Sequence, residues 1–127
     1  MKNNPIVIIC GEPNSIFSEI LHKSLNNYKT KKPIIVIGSK NLLLKQLRFL
    51  KKKMSLNNIF FRDNKIYNMK SDKINIINVD YNFKKPFEKI SSKSNQYILE
   101  CFKKGLLIAK TYKISGLING PISKKTF

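Results

Sequence analysis

The chain has 127 residues, of which 25 are lysine or arginine and 7 are aspartate or glutamate, giving a formal net charge of +18. This length suits one domain with an ordinary core, and a hydrophobic content of 42% excludes a disordered chain. The first apolar run, residues 6–10, is too short for a signal sequence core or a membrane span. We therefore expect a cytoplasmic protein with no membrane partner.

The basic charge is spread along the chain and consists almost entirely of lysine. Arg48 and Arg62 are the only arginines, whereas lysines occur from Lys2 to Lys125. Arginine is the better residue for bidentate phosphate contacts, and dedicated nucleic-acid binders use it. Isoleucine and asparagine are abundant too, as AT-rich codons would produce. We attribute the charge chiefly to codon bias and do not expect a nucleic-acid partner, with a basic nucleic-acid-binding module as the alternative.

The apolar runs predict alternating strands and helices. A continuous run rich in β-branched residues at 6–10 predicts a strand covered on both faces, as in a parallel sheet, and further strands are predicted at 34–37, 74–79 and 114–118. Apolar positions three and four residues apart predict helices over 16–25, 43–54 and about 91–112. A short strand pair is predicted within 58–70, around a turn at Asp63 and Asn64. This order indicates an α/β fold in a single domain.

Local details sharpen the predicted helices. Asn14 or Ser15 can cap the first helix, and Ser39 can cap the second. Gly105 lies inside the third helix, where it costs about 1 kcal/mol relative to alanine. We therefore expect a close packing contact at Gly105.

The titratable residues give little sign of a catalytic or metal centre. His22 is the only histidine, whereas catalytic metals need about three protein ligands. Cys10 and Cys101 are expected to be reduced core residues, because each lies within an apolar run or stripe. The chain has no Gly-x-Gly-x-x-Gly sequence and no Walker loop, so a dinucleotide site of the Rossmann type is unsupported.

Two predicted strands end in unusual turns, and these turns carry the candidate site. The first turn is Gly-Glu-Pro at 11–13, and the last is Asn-Gly-Pro at 119–121, with a lysine three residues later. Ligands of open parallel sheets bind outside the carboxyl ends of the strands, so neighbouring strands would join the turns into one anion-binding crevice. The alternative is that both turns need glycine and proline only for geometry. The predicted substrate-binding residues are Glu12, Asn119, Gly120, Pro121 and Lys124.

Together the two turns resemble motifs of the 4-hydroxythreonine-4-phosphate dehydrogenase family. Members of that family have Gly-Asp/Glu-Pro-Ala-Gly-Ile-Gly-Pro-Glu after the first strand, and residues 11–19 here are Gly-Glu-Pro-Asn-Ser-Ile-Phe-Ser-Glu. Ser15 and Phe17 replace two of the family's glycines. The family's Thr-Gly/Ala-Pro-Ile/Val-Asn/His-Lys corresponds to Asn-Gly-Pro-Ile-Ser-Lys at 119–124. The resemblance covers essentially the whole chain and the amino-terminal third of the family's subunit.

The resemblance implies a fold and an activity. The fold is an α/β/α sandwich similar to that of the isocitrate and isopropylmalate dehydrogenases, with residues 1–127 forming a partial domain of a two-domain, homodimeric subunit. The activity is NAD-dependent oxidation of 4-phosphooxy-L-threonine, with decarboxylation to 3-amino-2-oxopropyl phosphate, in pyridoxal 5′-phosphate biosynthesis. In the family a divalent metal (Zn, Mg or Co) held by three histidines polarises the developing carbonyl. Those histidines are expected beyond Phe127, so no metal ligand, catalytic residue or NAD-binding residue is assigned here.

Two alternatives within this resemblance stay open. The enzyme can be a related dehydrogenase that acts on another phosphorylated hydroxy acid, such as a threonate or erythronate phosphate. The chain can also be an inactive remnant of the family. In either case we expect residues 1–127 alone to show no NAD-dependent turnover.

Overall fold

The computed structural model describes residues 4–26, 28 and 32–122. Within this part of the chain it contains seven strands and three α-helices, with four of the strands following one another between the second and third helices. The strands are β1 (Ile6–Ile9), β2 (Ile34–Gly38), β3 (Leu56–Asn58), β4 (Phe60–Arg62), β5 (Lys65–Tyr67), β6 (Ile74–Asn78) and β7 (Gly116–Asn119). The helices are α1 (Phe17–Leu25), α2 (Lys40–Phe49) and α3 (Asn95–Thr111), the last preceded by a 3₁₀ turn at Ser92–Ser94.

Five strands form one parallel sheet in the order β3-β6-β2-β1-β7. The strand β1 is paired on both sides, with Ile6 opposite Ile34 of β2 and opposite Gly116 of β7. The strand β2 consists of four β-branched residues and Gly38, and all five are buried, as expected for a strand covered on both faces. The prediction of a parallel α/β sheet is therefore confirmed.

Alternate residues of the central strands enter two separate cores. On one face, Ile8 and Val36 pack with leucines of α1 and α2. On the other face, Ile9 and Ile37 pack with residues of α3. Helices thus cover both faces of the sheet, and the predicted α/β/α sandwich is confirmed. No helix in the described part of the chain is long and apolar enough to cross a membrane.

The helix α2 ends earlier than the sequence predicts. The prediction ran to residue 54, whereas the helix ends at Phe49. Lys51 has a φ of 59°, and the backbone N–H of Lys52 donates to the carbonyl of Leu47 at 2.8 Å. This is a Schellman motif with lysine at the position that glycine usually occupies. No glycine marks the end of the helix, and this is why the apolar spacing alone placed it too late.

The edge strand β3 was not predicted. It has three residues, two of them asparagine, and it pairs with β6 in parallel register. Its pairing is reinforced by the fully buried Asn75 of β6, whose Oδ1 accepts a hydrogen bond of 2.8 Å from Nδ2 of Asn57. The amide of Asn75 also donates to the carbonyl of Ile34 at 3.0 Å. The strand β3 is therefore supported by a polar network that joins three strands, and its sequence lacks the apolar pattern from which strands are predicted.

The predicted strand pair is confirmed as an antiparallel hairpin of β4 and β5. Asp63 and Asn64 form its two-residue turn, with φ angles of 51° and 60°. Positive φ at both positions is the geometry of a type I′ turn, which matches the twist of the flanking strands. The hairpin packs on the α3 side of the sheet, where Phe61 meets the ring of Tyr112 edge-on, with ring centroids 6.3 Å apart.

The predicted close contact at Gly105 is confirmed. A Cβ atom on Gly105 would contact Cδ1 of Ile9 and would lie 2.7 Å from Cγ1 of the same side chain. Ile9 is fully buried, so its side chain has little room to move away. The absence of a side chain at Gly105 therefore sets how closely α3 approaches the sheet.

We expect Gly105→Ala to destabilise the protein by about 1 kcal/mol or more, because overpacking of the core outweighs the gain in helix propensity. Gly116→Ala is the matched control, since a Cβ atom there would meet nothing within 4 Å and φ is not positive. The control should be neutral or slightly stabilising. Urea unfolding measures both variants, and equal free energies of unfolding would contradict the packing role of Gly105.

Candidate functional site

The two unusual turns lie side by side at the carboxyl ends of β1 and β7. Ile9 of β1 is in register with Asn119 of β7. Beyond that pair, the N–H of Gly120 donates to the carbonyl of Ile9 at 2.8 Å. The N–H of Glu12 then donates to the carbonyl of Pro121 at 2.7 Å. The parallel ladder therefore continues into both turns and holds them together.

Gly11 and Gly120 allow the two backbones to meet. A Cβ atom on Gly11 would contact the carbonyl oxygen of Pro121 and lie 2.7 Å from the carbonyl carbon of Gly120. A Cβ atom on Gly120 would lie 2.9 Å from the nitrogen of Gly11 and 2.9 Å from Cδ1 of Phe17. Neither glycine has a positive φ. Close approach of the chain to itself thus accounts for the lack of a side chain at both positions.

Glu12 is turned inward rather than toward solvent. Its side chain is 3% exposed, and its Oε2 accepts a hydrogen bond of 3.0 Å from Oγ of Ser94. The backbone N–H of Asn14 donates to Oε1 at 3.4 Å. Among the described residues no lysine or arginine forms an ion pair with this carboxylate. The structure therefore shows Glu12 tying the first turn to the start of α3, and its contact with a substrate stays a prediction.

The other predicted binding residues differ in accessibility. Asn119 is exposed, and its Nδ2 donates to the carbonyl of Gly120 at 2.9 Å. Pro121 is exposed as well, whereas Gly120 is buried. Lys124 lies outside the described residues. Of the predicted binding residues that the structure describes, Asn119 and Pro121 are therefore the accessible ones.

Gln46, on the buried face of α2, supports the first turn, although it is not among the predicted site residues. Its Nε2 donates to the carbonyl of Pro13 at 2.6 Å and to the carbonyl of Pro86 at 2.8 Å. The side chain is 4% exposed, although it lies among leucines on the buried face of α2. A polar residue at an apolar helical position was the signal in the sequence that a buried hydrogen bond was needed there.

The loop before α3 braces the same turn. The N–H of Glu88 donates to Oδ1 of Asn14 at 2.9 Å. The backbone N–H of Lys84 donates to the Glu88 carboxylate at 3.1 Å, and this bond, with the Lys93 ammonium at 3.6 Å, lowers the pKa of Glu88. Glu88 therefore stays ionised at lower pH than an ordinary glutamate.

The buried thiols and the nearby phenol are poorly placed for nucleophilic chemistry. Burial raises the pKa of Cys10 well above its usual range, and burial raises the pKa of Cys101 to about 12. Tyr97 is buried between them and the start of α2, and its hydroxyl accepts a hydrogen bond of 2.8 Å from the N–H of Ser39. Burial also raises the pKa of Tyr97. These neutral groups fit the predicted role of both cysteines as core residues.

The described residues provide neither a metal site nor a dinucleotide site of the Rossmann type. They contain no group of three His, Cys, Asp or Glu side chains that could hold a metal ion. In a dinucleotide fold, the glycines of the first turn leave room for the pyrophosphate. Here the space beside Gly11 is filled by the Gly120–Pro121 backbone. No chemical step through either group is therefore assigned to these residues.

A comparison with sequence models of protein families shows to which family the chain belongs. The sequence model described as "Pyridoxal phosphate biosynthetic protein PdxA" matches residues 29–127. The chain belongs to the PdxA family. The match includes α3, β7 and the second turn of the crevice, so the turn that pairs with Gly11 lies within the family's own sequence pattern.

Individual proteins of the PdxA family agree with this result. The chain is 26% identical over 129 residues to a Pasteurella multocida (strain Pm70) protein provisionally named 4-hydroxythreonine-4-phosphate dehydrogenase. The fold of the present chain resembles two solved structures of 4-hydroxythreonine-4-phosphate dehydrogenases. They are those from Burkholderia phymatum (TM-score 0.74, 19% identity) and Klebsiella pneumoniae (TM-score 0.72, 17% identity). The superpositions cover 98% and 96% of this chain.

The PdxA relatives are considerably longer than this chain. The match covers 98% of the chain but 38% of the Pasteurella protein, and each of the two solved structures is also covered to 38%. The chain thus corresponds to a little over one third of a family subunit, and the activity of a whole subunit is a matter for proposal.

We expect Gly11→Ala to destabilise the protein by about 2–3 kcal/mol, because the added methyl group meets backbone that cannot rotate away as a side chain can. The free energy of unfolding in urea measures this loss, with Gly116→Ala again as the control. If Gly11→Ala cost no more than the control, the close approach of the turns would not hold in solution.

The link between Glu12 and Ser94 is tested by a double-mutant cycle. Ser94→Ala should lower the free energy of unfolding by about 1–3 kcal/mol, since a buried carboxylate loses its hydroxyl donor. In a Glu12→Gln background the same change should cost less, because a neutral amide is cheaper to leave unpaired. Ser92→Ala, at an exposed position two residues away, should stay within about 0.5 kcal/mol of the wild type. Equal costs of Ser94→Ala in both backgrounds would show that the two side chains do not interact.

Proposed function

We propose that the chain is the amino-terminal part of an enzyme that oxidises 4-phosphooxy-L-threonine with NAD and a divalent metal in pyridoxal 5′-phosphate biosynthesis. Membership of the PdxA family supports the class of enzyme. The observation that carries the proposal is the contact of Gly11 with Gly120 and Pro121. It unites two family-like motifs, 109 positions apart, at one carboxyl edge of the sheet, where ligands of such folds bind.

Within this proposal, Asn119 and Pro121 form the near wall of the substrate site. Asn119 takes the place of the family's threonine, and it is exposed where the parallel ladder ends. Lys124 adds a positive charge toward the phosphate or carboxylate of the substrate. Glu12 acts from beneath the turn, through its bond to Ser94, by fixing the position of the backbone that faces the crevice.

The remaining parts of the site belong to the rest of the proposed subunit. The metal ligands and the NAD contacts are proposed to lie in sequence that corresponds to the remaining part of the relatives. We further propose a cytoplasmic homodimer, as the resemblance implies. A related dehydrogenase for a phosphorylated threonate or erythronate is the second candidate, since Asn119 in place of threonine changes the wall that meets the substrate.

The test begins with the gene and ends with the complete gene product. Sequencing on the 3′ side of codon 127 is expected to show a continuing reading frame with Gly-His-Thr and three later histidines. The purified product should then reduce NAD with 4-phosphooxy-L-threonine, and chelation of the divalent metal should abolish the reaction. Residues 1–127 alone should give no NADH.

Asn119→Ala in the complete product should lower kcat/KM by about tenfold, a loss of about 1.4 kcal/mol in transition-state binding. Asn26→Ala is the matched control, because this exposed asparagine lies at the carboxyl end of α1, away from the crevice. NADH formation at 340 nm measures both variants.

Turnover by residues 1–127 alone would overturn the proposal, and a product active only with threonate or erythronate phosphates would favour the second candidate.

A further inference from the structure

A second crevice opens at the same edge of the sheet, where β3 and β6 end. It has a volume of about 410 Å³. Basic and amide side chains make up its polar lining, and no acidic residue lines it. The polar residues are Lys40, Asn41, Asn58, Arg62, Asn78 and Lys104. This volume lies within the range of about 300–1,000 Å³ that is typical of small-molecule sites.

The three basic residues of the crevice come from three different elements. Lys40 begins α2, Arg62 ends β4, and Lys104 lies in the middle of α3. Among the described residues none of the three forms an ion pair, and Lys40 and Lys104 are half-buried. Cations that converge without acidic partners repel one another, and a bound anion relieves that repulsion.

The polar wall of the crevice is held in place by hydrogen bonds. Oδ1 of Asn78 accepts a bond of 2.9 Å from the N–H of Lys40, and its Nδ2 donates to Asp80 at 3.0 Å. The start of α2 is therefore fixed to the end of β6.

The apolar wall is supplied by the hairpin of β4 and β5. Phe60 and Phe61 line the crevice, and the Arg62 guanidinium lies 5.7 Å from the ring centre of Phe60. The hairpin is anchored to α3, because the N–H of Ile66 donates to the hydroxyl of Tyr112 at 2.9 Å. An apolar surface thus stands beside the cationic groups.

We propose that this crevice binds a small phosphorylated molecule with an aromatic or other planar body, such as a nucleoside monophosphate. The phosphate lies among Lys40, Arg62 and Lys104, and the planar body lies against the phenylalanine wall. The crevice is separate from the turns of β1 and β7, since three strand spacings of about 4.8 Å place the two about 14 Å apart. The inference goes beyond the proposed dehydrogenase function and does not depend on it.

The test is a titration of residues 1–127 with AMP, inorganic phosphate and adenosine, followed by ¹H–¹⁵N correlation spectra at moderate salt. AMP should bind saturably and shift the amide signals of the crevice residues, and adenosine should not bind. Weaker binding of inorganic phosphate than of AMP supports a role for the apolar wall. Equal binding of the two keeps the anion site and assigns free phosphate as its ligand.

Paired substitutions separate the crevice from the general basic charge. Lys40→Gln/Lys104→Gln should weaken AMP binding by about tenfold or more. Lys45→Gln/Lys110→Gln removes the same charge from exposed positions of the same two helices and should change the dissociation constant less than about twofold. Lys104→Gln alone gives a second measurement if the double variant unfolds, with Lys104→Arg expected to retain binding. Equal weakening in both double variants, or no shift of the crevice signals with AMP, would overturn the proposal.

Discussion

The contact between Gly11 and the Gly120–Pro121 backbone is the constraint on which the candidate site depends. Two hydrogen bonds continue the β1–β7 ladder past the strands, from Gly120 to Ile9 and from Glu12 to Pro121. The backbones can come this close only because neither glycine carries a Cβ atom. Every other support of the first turn, whether from Gln46, from Ser94 or from the loop before α3, acts on a backbone already placed by this contact.

How far the sequence predicts this fold depends on which interactions form each element. The strands β1, β2 and β6 are rich in β-branched residues, and the hairpin turn has residues that tolerate positive φ, so apolar pattern and turn chemistry suffice for them. The strand β3 forms beside the hydrogen-bond network of Asn75, whose partners come from three parts of the chain. Such a network has no periodicity, and for this reason β3 could not be predicted.

The candidate site was predictable to a similar extent. The two turns could be identified as neighbours once both strands were assigned to one parallel sheet. The direction of the Glu12 side chain could not be predicted, because it depends on Ser94, which lies 82 positions away and contacts Glu12 only where the start of α3 packs beside the first turn. The sequence therefore predicts where the crevice lies better than it predicts which side chains face it.

The tertiary structure also determines which basic side chains come together. Codon bias explains why lysine is frequent, but it does not explain which lysines meet. Lys40, Arg62 and Lys104 are far apart in sequence, and the crossing of α3 and the return of the hairpin bring them to one crevice. The buried carboxylate of Glu12, by contrast, is satisfied by a hydroxyl and a backbone N–H rather than by a cation from the described part of the chain.

The two crevices are electrically separate but share a structural element. A separation of about 14 Å exceeds the Debye length of about 8 Å at physiological salt, so an anion in the basic crevice has little direct effect on the turns of β1 and β7. The helix α2 nevertheless contacts both, since Lys40 at its start bonds to Asn78, and Gln46, further along the helix, bonds to Pro13. The helix α2 is therefore one mechanical link between the two crevices, because Gln46 holds the first turn while the start of the same helix is bonded to Asn78 at the basic crevice.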